Sequence, residues 1–525
     1  MLTNLIAQLQ NAQVYPHAVK PPIEVLQTHC SAVFLTGDYA YKVKKPVDFG
    51  FLDFSTLEKR KFYLEQELAL NQPIAPDIYE AVVPIYQDGE ENLWVNQPQE
   101  TLVEYALRMR QFPQSCLFVN LFKAGQLTPE LIRELGLTVA EFHAQTRTDT
   151  YIQSFGQVEK IQDAIMDNFK ATEKYIGAAQ TQSQYAETKA FDEAFLRQHR
   201  DRFQRRIEAG KIRECHGDLH LQNICYWQGK LQLFDRIEFN EPFRFVDVMY
   251  DVAFTVMDLD AKERRDLGTI FLNAYLEQTG DWEGVSLLPF YLSRQAYVRA
   301  KVTSFLLDDP QISPREKETA LETAQNYYRQ AWGYAQPQEG EVILLSGLSG
   351  AGKSTVARYL APQIGALHLR SDAIRKQLAG LPLTAQGGAD LYTPERTQQT
   401  YQYLQNWGLA LACQGWRVIL DAKYDRRVER QTILKFCQTH HLPLIFLHCQ
   451  ASLPTLTERL NQRRGDISDA TAALLRQQVE NFEAFGAEES PFLVNLDTET
   501  FAWQEKIVFL NLGTIGGAKE TVAKS

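Results

Sequence analysis

A nine-residue segment, Gly347 to Thr355 (GLSGAGKST), has the composition and spacing of a loop that binds phosphate groups. Its glycines would allow backbone N–H groups to close around phosphate oxygens, because a Cβ atom would block that approach. Lys353 would reach the β- and γ-phosphates of a nucleotide, and the Ser354 hydroxyl would hold Mg²⁺. The segment therefore predicts a nucleotide site formed by Gly347, Ser349, Gly350, Ala351, Gly352, Lys353, Ser354 and Thr355.

Two later segments could supply the metal ligand and the acceptor end of this site. The apolar segment 418–421 (VILD) ends in Asp421, where a carboxylate would hold Mg²⁺; an ordinary strand-end aspartate is the alternative. Asp372 and Arg375, in RSDAIR, follow a predicted strand and would lie at the carboxyl edge of the sheet, where ligands bind. Asp372 could take a proton from an acceptor hydroxyl while Arg375 orients the acceptor. The alternative is that Asp372 caps a solvated helix.

A cluster of arginines follows in the segment ERLNQRRGD. Arg459, Arg463 and Arg464 could form a lid that supplies positive charge to the transition state of phosphate transfer. The alternative is that this charge run is a solvated helix face.

A second set of chemical groups lies in HGDLHLQN, residues 216–223, and in the LFD that follows. Asp218 would act as a base beside an acceptor hydroxyl, while Asn223 and Asp235 would hold Mg²⁺ against ATP. His216 is more simply explained as a structural residue than as a proton carrier.

These residues resemble the aminoglycoside phosphotransferase family, whose fold is that of protein kinases. The resemblance implies that Asp218 is the catalytic base, that Asn223 and Asp235 are Mg²⁺ ligands, and that Asp251, in YDVAF, supports the catalytic loop. Glu238 would support the metal site or lie at the surface.

The family also implies a phosphate-binding lysine on an upstream strand, paired with a glutamate on a helix. In YAYKVKK, Lys42 and Lys44 share one strand face, and Lys42 fits the family pattern better. Its partner would be Glu67 or Glu65, with Glu67 preferred. No G-x-G-x-x-G precedes the lysine; the corresponding segment is QTHCSAV, residues 27–33.

The later motifs resemble the P-loop kinase group that includes polynucleotide 5′-hydroxyl kinases, zeta-type toxins, gluconate kinases and chloramphenicol phosphotransferases. The resemblance covers roughly residues 340 to 500. It implies that Asp372 and Arg375 form the acceptor element and that residues 459–464 form the lid. With KKPVDFGFLDFSTLEKR and FDRIEFN in the first part, the whole chain resembles a bacterial two-domain fusion of the two families.

The elements that must position these groups differ between the two parts of the chain. The first part opens with strand patterns, including a hairpin formed by 31–35 and 39–45, and continues mostly as helix. The second part alternates strand and helix, which predicts a parallel sheet. The predicted fold is an α+β protein-kinase-like two-lobed domain (1–335), an α/β P-loop NTPase domain with a parallel sheet (336–512) and a tail (513–525).

Composition limits the classes of protein to which the chain could belong. Hydrophobic residues make up 45% and charged residues 23% of the 525 residues, as in globular proteins, and the net charge is −11. A nucleic-acid partner is left open but not favoured, and we expect no membrane span and no signal peptide. The seven cysteines form no C-x-x-C pair, so we expect a reducing, cytoplasmic location.

Together these patterns predict a phosphotransferase that uses ATP and Mg²⁺ at two sites and transfers phosphate to small hydroxyl acceptors. One alternative is a single active kinase domain regulated by an ATP-sensing domain. Another is a polynucleotide 5′-hydroxyl kinase activity in the second domain. The acceptors and the oligomeric state are left open.

Overall fold

The computed structural model describes residues 2–50, 52–310 and 312–508. The tail predicted at 513–525 lies outside the described residues. The chain forms two compact units, each assembled from segments that are not contiguous in sequence. Of the described residues, the first unit contains those within 2–131, 141–174 and 189–258, and the second contains those within 132–140, 175–188 and 259–508.

The helices of the described residues are numbered in chain order. They are α1 (Leu2–Gln8), α2 (Leu57–Asn71), α3 (Phe118–Lys123), α4 (Pro129–Gln145), α5 (Thr150–Gln153), α6 (Val158–Thr172), α7 (Gln182–Gln198), α8 (Arg200–Glu208), α9 (Glu241–Arg244), α10 (Val248–Ala261), α11 (Arg265–Thr279), α12 (Trp282–Val285), α13 (Leu288–Phe305), α14 (Pro314–Tyr334), α15 (Lys353–Ile364), α16 (Ser371–Leu378), α17 (Pro394–Cys413), α18 (Arg427–His440), α19 (Leu453–Gln462), α20 (Leu475–Asn481) and α21 (Ala502–Val508).

The strands are numbered in the same way. They are β1 (Glu24–Gln27), β2 (Ser31–Leu35), β3 (Tyr39–Lys44), β4 (Tyr79–Gln87), β5 (Leu93–Val95), β6 (Thr101–Arg110), β7 (Ile212–Glu214), β8 (Ile224–Trp227), β9 (Lys230–Leu233), β10 (Phe245–Asp247), β11 (Glu341–Ser346), β12 (Leu367–Arg370), β13 (Arg417–Asp421), β14 (Leu444–Gln450) and β15 (Leu493–Asp497).

The first unit is built on a six-stranded antiparallel sheet with the order β1-β2-β3-β6-β4-β5. The predicted hairpin is confirmed, since β2 pairs with β3 and Val33 lies opposite Lys42. Its turn contains Gly37 at a φ of 108°, a conformation that glycine adopts without strain. One sheet face buries Phe34, Tyr41 and Ile85, and burying such a side chain stabilises a fold by about 1.5–3 kcal/mol.

Helix α2 follows the hairpin and carries Glu67. It begins after Thr56, whose hydroxyl accepts a hydrogen bond from the Lys59 N–H at 3.3 Å, as an N-cap does. Two short antiparallel ribbons, β7 with β10 and β8 with β9, flank the segment that contains Asp218. These elements bring the strand lysines and the later acidic residues into one unit.

The second unit is built on a five-stranded parallel sheet with the order β12-β13-β11-β14-β15. Residues 342–345 of β11 are completely buried, as expected for a strand covered by helices on both faces. The carboxyl ends of β11, β12 and β13 meet at one sheet edge, where ligands bind in such folds. The architecture of the predicted fold class is confirmed: an α+β part with an antiparallel sheet is followed by an α/β part with a parallel sheet.

The junction predicted near residue 336 falls between α14 and β11. Helix α14 begins at a capping box, in which the Ser313 hydroxyl accepts a hydrogen bond from the Glu316 N–H and the Glu316 side chain accepts one from the Ser313 N–H. Residues 259–335 belong to the same compact unit as the parallel sheet, and the boundary itself stays a prediction. Within the described ranges, no helix combines the length and the apolar character that crossing a bilayer requires.

Candidate active sites

The lysines of β3 lie in a buried cluster of charges in the first unit. Lys42 Nζ lies 2.7 Å from Glu67 Oε1 and 2.6 Å from Asp235 Oδ1. Lys44 Nζ lies 2.8 Å from Glu67 Oε2 and 2.5 Å from Glu238 Oε1. Glu67 therefore bridges both lysines, one with each oxygen.

The two glutamates left open as partners of Lys42 have different environments. Glu67 is completely buried, whereas the side chain of Glu65 is 52% exposed and pairs with Lys61. Burial alone would raise the pKa of Glu67, but the ammonium groups of Lys42 and Lys44 hold that pKa at about 2. The structure thus brings Glu67, and not Glu65, to Lys42.

The predicted base, Asp218, lies in a loop held by hydrogen bonds. Asn223 Nδ2 donates to the Asp218 carbonyl at 2.9 Å and to its Oδ2 at 3.1 Å. His220 Nε2 lies 3.3 Å from Asp218 Oδ2, a contact that no sequence motif indicates. The Asp218 side chain is 37% exposed, so its carboxylate is accessible to an acceptor.

Asp251 binds the backbone of this loop. Its buried carboxylate accepts hydrogen bonds from the backbone N–H groups of His216 at 2.9 Å and Gly217 at 2.8 Å. Gly217 has a φ of 84°, and a Cβ atom there would lie 2.7 Å from the Phe243 carbonyl oxygen. Burial lowers the pKa of His216, so this ring is neutral at neutral pH, in agreement with a structural role.

Asp235 has a backbone conformation that is rare for a residue with a side chain. Its φ is 63°, and its N–H donates to the Tyr79 hydroxyl at 3.0 Å while Lys42 binds its carboxylate. Strained conformations of this kind are concentrated at functional sites. The Asn223 carbonyl accepts a hydrogen bond from the Phe234 N–H, which places the two candidate metal ligands on neighbouring segments. Carboxylate and amide oxygens are ligands that suit Mg²⁺.

The segment that stands in place of a glycine-rich loop forms a closed turn. The Thr28 hydroxyl accepts hydrogen bonds from the N–H groups of Cys30 at 3.3 Å and Ser31 at 3.0 Å. Lys45 Nζ also donates to the Thr28 carbonyl at 2.7 Å. The N–H groups of Cys30 and Ser31 are thus already bonded within the turn.

In the second unit, the predicted phosphate loop connects β11 to α15. Gly347, Gly350 and Gly352 all have positive φ, and a Cβ atom at Gly347 would lie 2.4 Å from the Cys449 carbonyl oxygen. Lys353 Nζ donates to the carbonyls of Gly347 and Leu348, both at 2.9 Å. The N-terminus of α15 faces the loop, and the partial positive charge of such a terminus favours phosphate.

The candidate metal ligands of this loop are in direct contact. Ser354 Oγ donates to Asp421 Oδ2 at 2.6 Å, and His368 Nε2 lies 2.9 Å from the same oxygen. Burial alone would raise the pKa of Asp421, but His368, Arg370 and Lys353 hold it at about 2. A hydroxyl beside an ionised carboxylate fits Mg²⁺, and His368 is a partner that belongs to none of the sequence motifs.

The loop opens into a cavity of about 1160 Å³ that is lined by the predicted acceptor residues Asp372 and Arg375. Arg370, and not Asp372, occupies the N-cap of α16, and Asp372 lies in the first turn with 28% of its side chain exposed. Arg375 is buried and donates to the Leu391 carbonyl at 2.8 Å. Its guanidinium lies 4.8 Å from the Tyr392 ring centroid. Arg375 therefore organises the cavity wall as well as facing the cavity.

The three arginines of the predicted lid do not share one position. Arg459 donates to the Gly350 carbonyl at 3.3 Å and to the Thr498 carbonyl at 2.5 Å, and Arg463 lines the cavity. The structure does not bring Arg464 to the cavity wall formed by the described residues. Its guanidinium instead donates to the carbonyls of Asn461 and Arg463, because the chain turns at the end of α19.

Comparisons with known proteins found one family model and several similar proteins. Residues 342–485 match the family model described as AAA domain. A Mycobacterium bovis protein described as uncharacterized is 27% identical over 464 residues, which cover 88% of this chain and 90% of the relative.

Two solved structures are similar to parts of the chain. A gluconokinase from Sinorhizobium meliloti 1021 is 23% identical and covers 33% of this chain and 93% of its own, with a TM-score of 0.25. A choline/ethanolamine kinase family protein from Mesorhizobium loti is 12% identical and covers 64% of this chain and 99% of its own, with a TM-score of 0.36. The match of residues 342–485 to the AAA domain model includes the loop Gly347–Thr355 and confirms the predicted resemblance of this part of the chain to P-loop domains.

Proposed function

We propose that this protein is a phosphotransferase that uses ATP and Mg²⁺ at two sites, one in each unit, and transfers the γ-phosphate to hydroxyl groups of small molecules. The observation that carries the proposal is the contact of Ser354 with Asp421 beneath the phosphate loop, next to a cavity that contains Asp372. This combination supplies phosphate binding, a metal site and a base in one place.

At the second-unit site, the chain's own groups have distinct roles in the proposal. The loop amides and Lys353 bind the phosphates, and Asp372 accepts the proton of the acceptor hydroxyl at its carboxylate oxygen. Arg459 and Arg463 supply positive charge as charge develops on the transferred group. Bound Mg²⁺ would neutralise charge on the β- and γ-phosphates, and Ser354 and Asp421 would hold it.

At the first-unit site, Asp218 accepts the acceptor proton, and its contacts with Asn223 and His220 fix the direction of its carboxylate. Lys42 binds phosphate while Glu67 holds the lysine in place. Asn223 and Asp235 would hold the metal. Positioning of this kind accounts for most of the catalysis in phosphate transfer, since the protein takes little covalent part.

The test is transfer of labelled γ-phosphate from ATP with Mg²⁺ to a panel of aminoglycosides, sugars, nucleosides and oligonucleotide 5′ ends. Asp218→Ala and Lys353→Ala should each remove a different labelled product. For Asp218→Ala, which removes the base, the rate of transfer should fall about 10²- to 10⁴-fold. The exposed residues Asp167 and Lys435 offer matched controls, Asp167→Ala and Lys435→Ala, which should keep both products.

One observation favours a second candidate function, in which the first unit senses ATP and regulates the other site. The N–H groups of Cys30 and Ser31 are bonded to Thr28, which leaves this turn less able to hold phosphates for transfer. Under this alternative, Asp218→Ala would leave every labelled product unchanged, while Lys42→Met would alter the ATP dependence of the product that requires Lys353. The first proposal would then be wrong for the first unit.

A further inference from the structure

Strand β12 lies at the edge of the parallel sheet, and among the described residues no strand pairs with the outer side of its backbone. Unpaired N–H and C=O groups on an edge strand require other partners. The side-chain amide of Asn273, on α11, supplies two: its Nδ2 donates to the Ala366 carbonyl at 2.9 Å, and its Oδ1 accepts from the His368 N–H at 2.8 Å. Asn273 therefore pairs with the strand as a neighbouring strand would.

The residue held in this way reaches the candidate metal site directly. The His368 side chain is 7% exposed, and its Nε2 lies 2.9 Å from Asp421 Oδ2, the same oxygen that accepts the Ser354 hydrogen bond. Because the side chain extends from the same Cα, the position from which the His368 ring reaches Asp421 depends on the strand segment that Asn273 holds. A continuous set of contacts thus runs from α11 to the phosphate loop.

Helix α11 is itself anchored firmly to the second unit. One turn after Asn273, Glu277 lies 2.6 Å from Arg133 and 3.8 Å from Arg370 at the end of β12. Gln377 of α16 donates to the Glu277 carbonyl at 2.7 Å. These contacts fix the helix at a second point of the same strand, so Asn273 is presented from a rigid support.

We propose that Asn273 is a positioning residue for the Mg²⁺ site of the phosphate loop, acting through His368 on Asp421. The inference rests on the proposed function of this loop as a site for ATP with Mg²⁺. The inference makes Asn273, on α11, a part of that site, although α11 lies outside the residues 342–485 that match the family model. Partners that orient metal ligands in this way typically change metal affinity about 10- to 100-fold when they are removed.

The test measures binding of β,γ-imido-ATP, a non-hydrolysable analogue, to the full chain by isothermal titration calorimetry, in Mg²⁺ and in EDTA. Binding that is lost in Lys353→Ala defines the phosphate-loop site. In Asn273→Asp, a carboxylate oxygen would face the Ala366 carbonyl, so we expect about 10- to 100-fold weaker binding in Mg²⁺ and less than threefold change in EDTA. His368→Ala, which leaves the backbone bonds of Asn273 intact, should have the same selective defect.

The matched control is Gln278→Glu, which makes the same amide-to-carboxylate change at an exposed position of α11 and should bind as wild type. If Asn273→Asp unfolds the second unit, thermal unfolding will show it, and Asn273→Ala, which leaves the Ala366 carbonyl and the His368 N–H to water, then replaces it and should have the same Mg²⁺-selective defect. The inference is overturned if Lys353→Ala abolishes Mg²⁺-dependent binding while a folded Asn273 variant binds as wild type, whatever the result with His368→Ala; the proposed function would survive. If Lys353→Ala binds as wild type, the proposed nucleotide function of this loop fails, and the inference fails with it.

Discussion

The two lysines of β3 provide a sharp test of how the first unit is organised, because they lie two residues apart on one strand face but have different roles in our interpretation. We expect Lys44→Met to destabilise the unit strongly while Lys42→Met mainly abolishes phosphate transfer. Among the described residues, Lys44 is the one cation within 4.0 Å of the Glu238 carboxylate, and both side chains are almost completely buried. Lys42 differs, since its partner Asp235 has a side chain that is 42% exposed.

The magnitudes follow from these surroundings. Removing Lys44 leaves the Glu238 carboxylate buried and unpaired, which costs about 3–5 kcal/mol of folding free energy. Since about 1.4 kcal/mol corresponds to a tenfold change in an equilibrium constant, the fraction of molecules in which the first unit is unfolded rises about 10²- to 10⁴-fold. Removing Lys42 leaves Glu67 paired with Lys44 and Asp235 solvated, so the cost should be about 1 kcal/mol.

The measurement is hydrogen exchange followed by mass spectrometry, with peptides from β3 and α2 as the probe and peptides from α17 as an internal reference. Lys44→Met should accelerate exchange in the probe peptides and leave the α17 peptides unchanged. Lys42→Met should leave exchange close to wild type while transfer that depends on Asp218 disappears. The double variant Lys44→Met/Glu238→Leu should recover most of the protection, because replacing both members of a buried pair is often nearly neutral. Stronger destabilisation by Lys42→Met than by Lys44→Met would refute the reasoning.

Two further predictions concern single carboxyl groups. Asp251→Asn should lose one charge-assisted bond to the loop amides, which lowers the free energy of unfolding of the loop by about 1.5–3 kcal/mol. We expect faster hydrogen exchange at His216 and Gly217 and about 10- to 100-fold slower transfer at the Asp218 site. Burial and the neighbouring Asp425 raise the pKa of Glu429 to about 7, so the folded chain binds this proton more tightly than the unfolded chain, and stability falls as pH rises from about 4.5 to 7. Glu429→Gln should therefore have a higher Tm than wild type at pH 8 and a similar Tm at pH 4, in thermal scans across that range.

The parts of the molecule that were predictable from sequence are those specified by local chemistry. The loop Gly347–Thr355 could be identified because positive φ, close approach of phosphate and a lysine at fixed spacing leave few alternatives. The hairpin at residues 31–45 follows from alternating residues around Thr36-Gly37-Asp38, and the start of α14 follows from its cap at Ser313. Each signal is contained within about a dozen residues.

The parts that sequence left open depend on contacts between distant segments. Glu65 and Glu67 lie on the same helix about 200° apart, and only the packing of α2 on the sheet decides which of them faces Lys42. Tyr79 supports the strained backbone of Asp235 across 156 positions of the chain, and no motif includes it. Its hydroxyl was indistinguishable in the sequence from that of any other tyrosine.

The contact between α11 and β12 shows why a boundary drawn from motifs differs from the extent of a functional unit. A boundary near residue 336 assigns Asn273 and His368, which lie 95 positions apart, to different domains. Water could satisfy the Ala366 carbonyl and the His368 N–H if α11 were absent, so the sheet itself does not require the helix. Water would not hold the His368 ring in a fixed direction toward Asp421. Holding that strand edge and its side chain in one conformation costs conformational entropy, which the contacts with α11 offset. If Asp421 holds Mg²⁺ as proposed, α11 orders the partner of that ligand before any nucleotide binds.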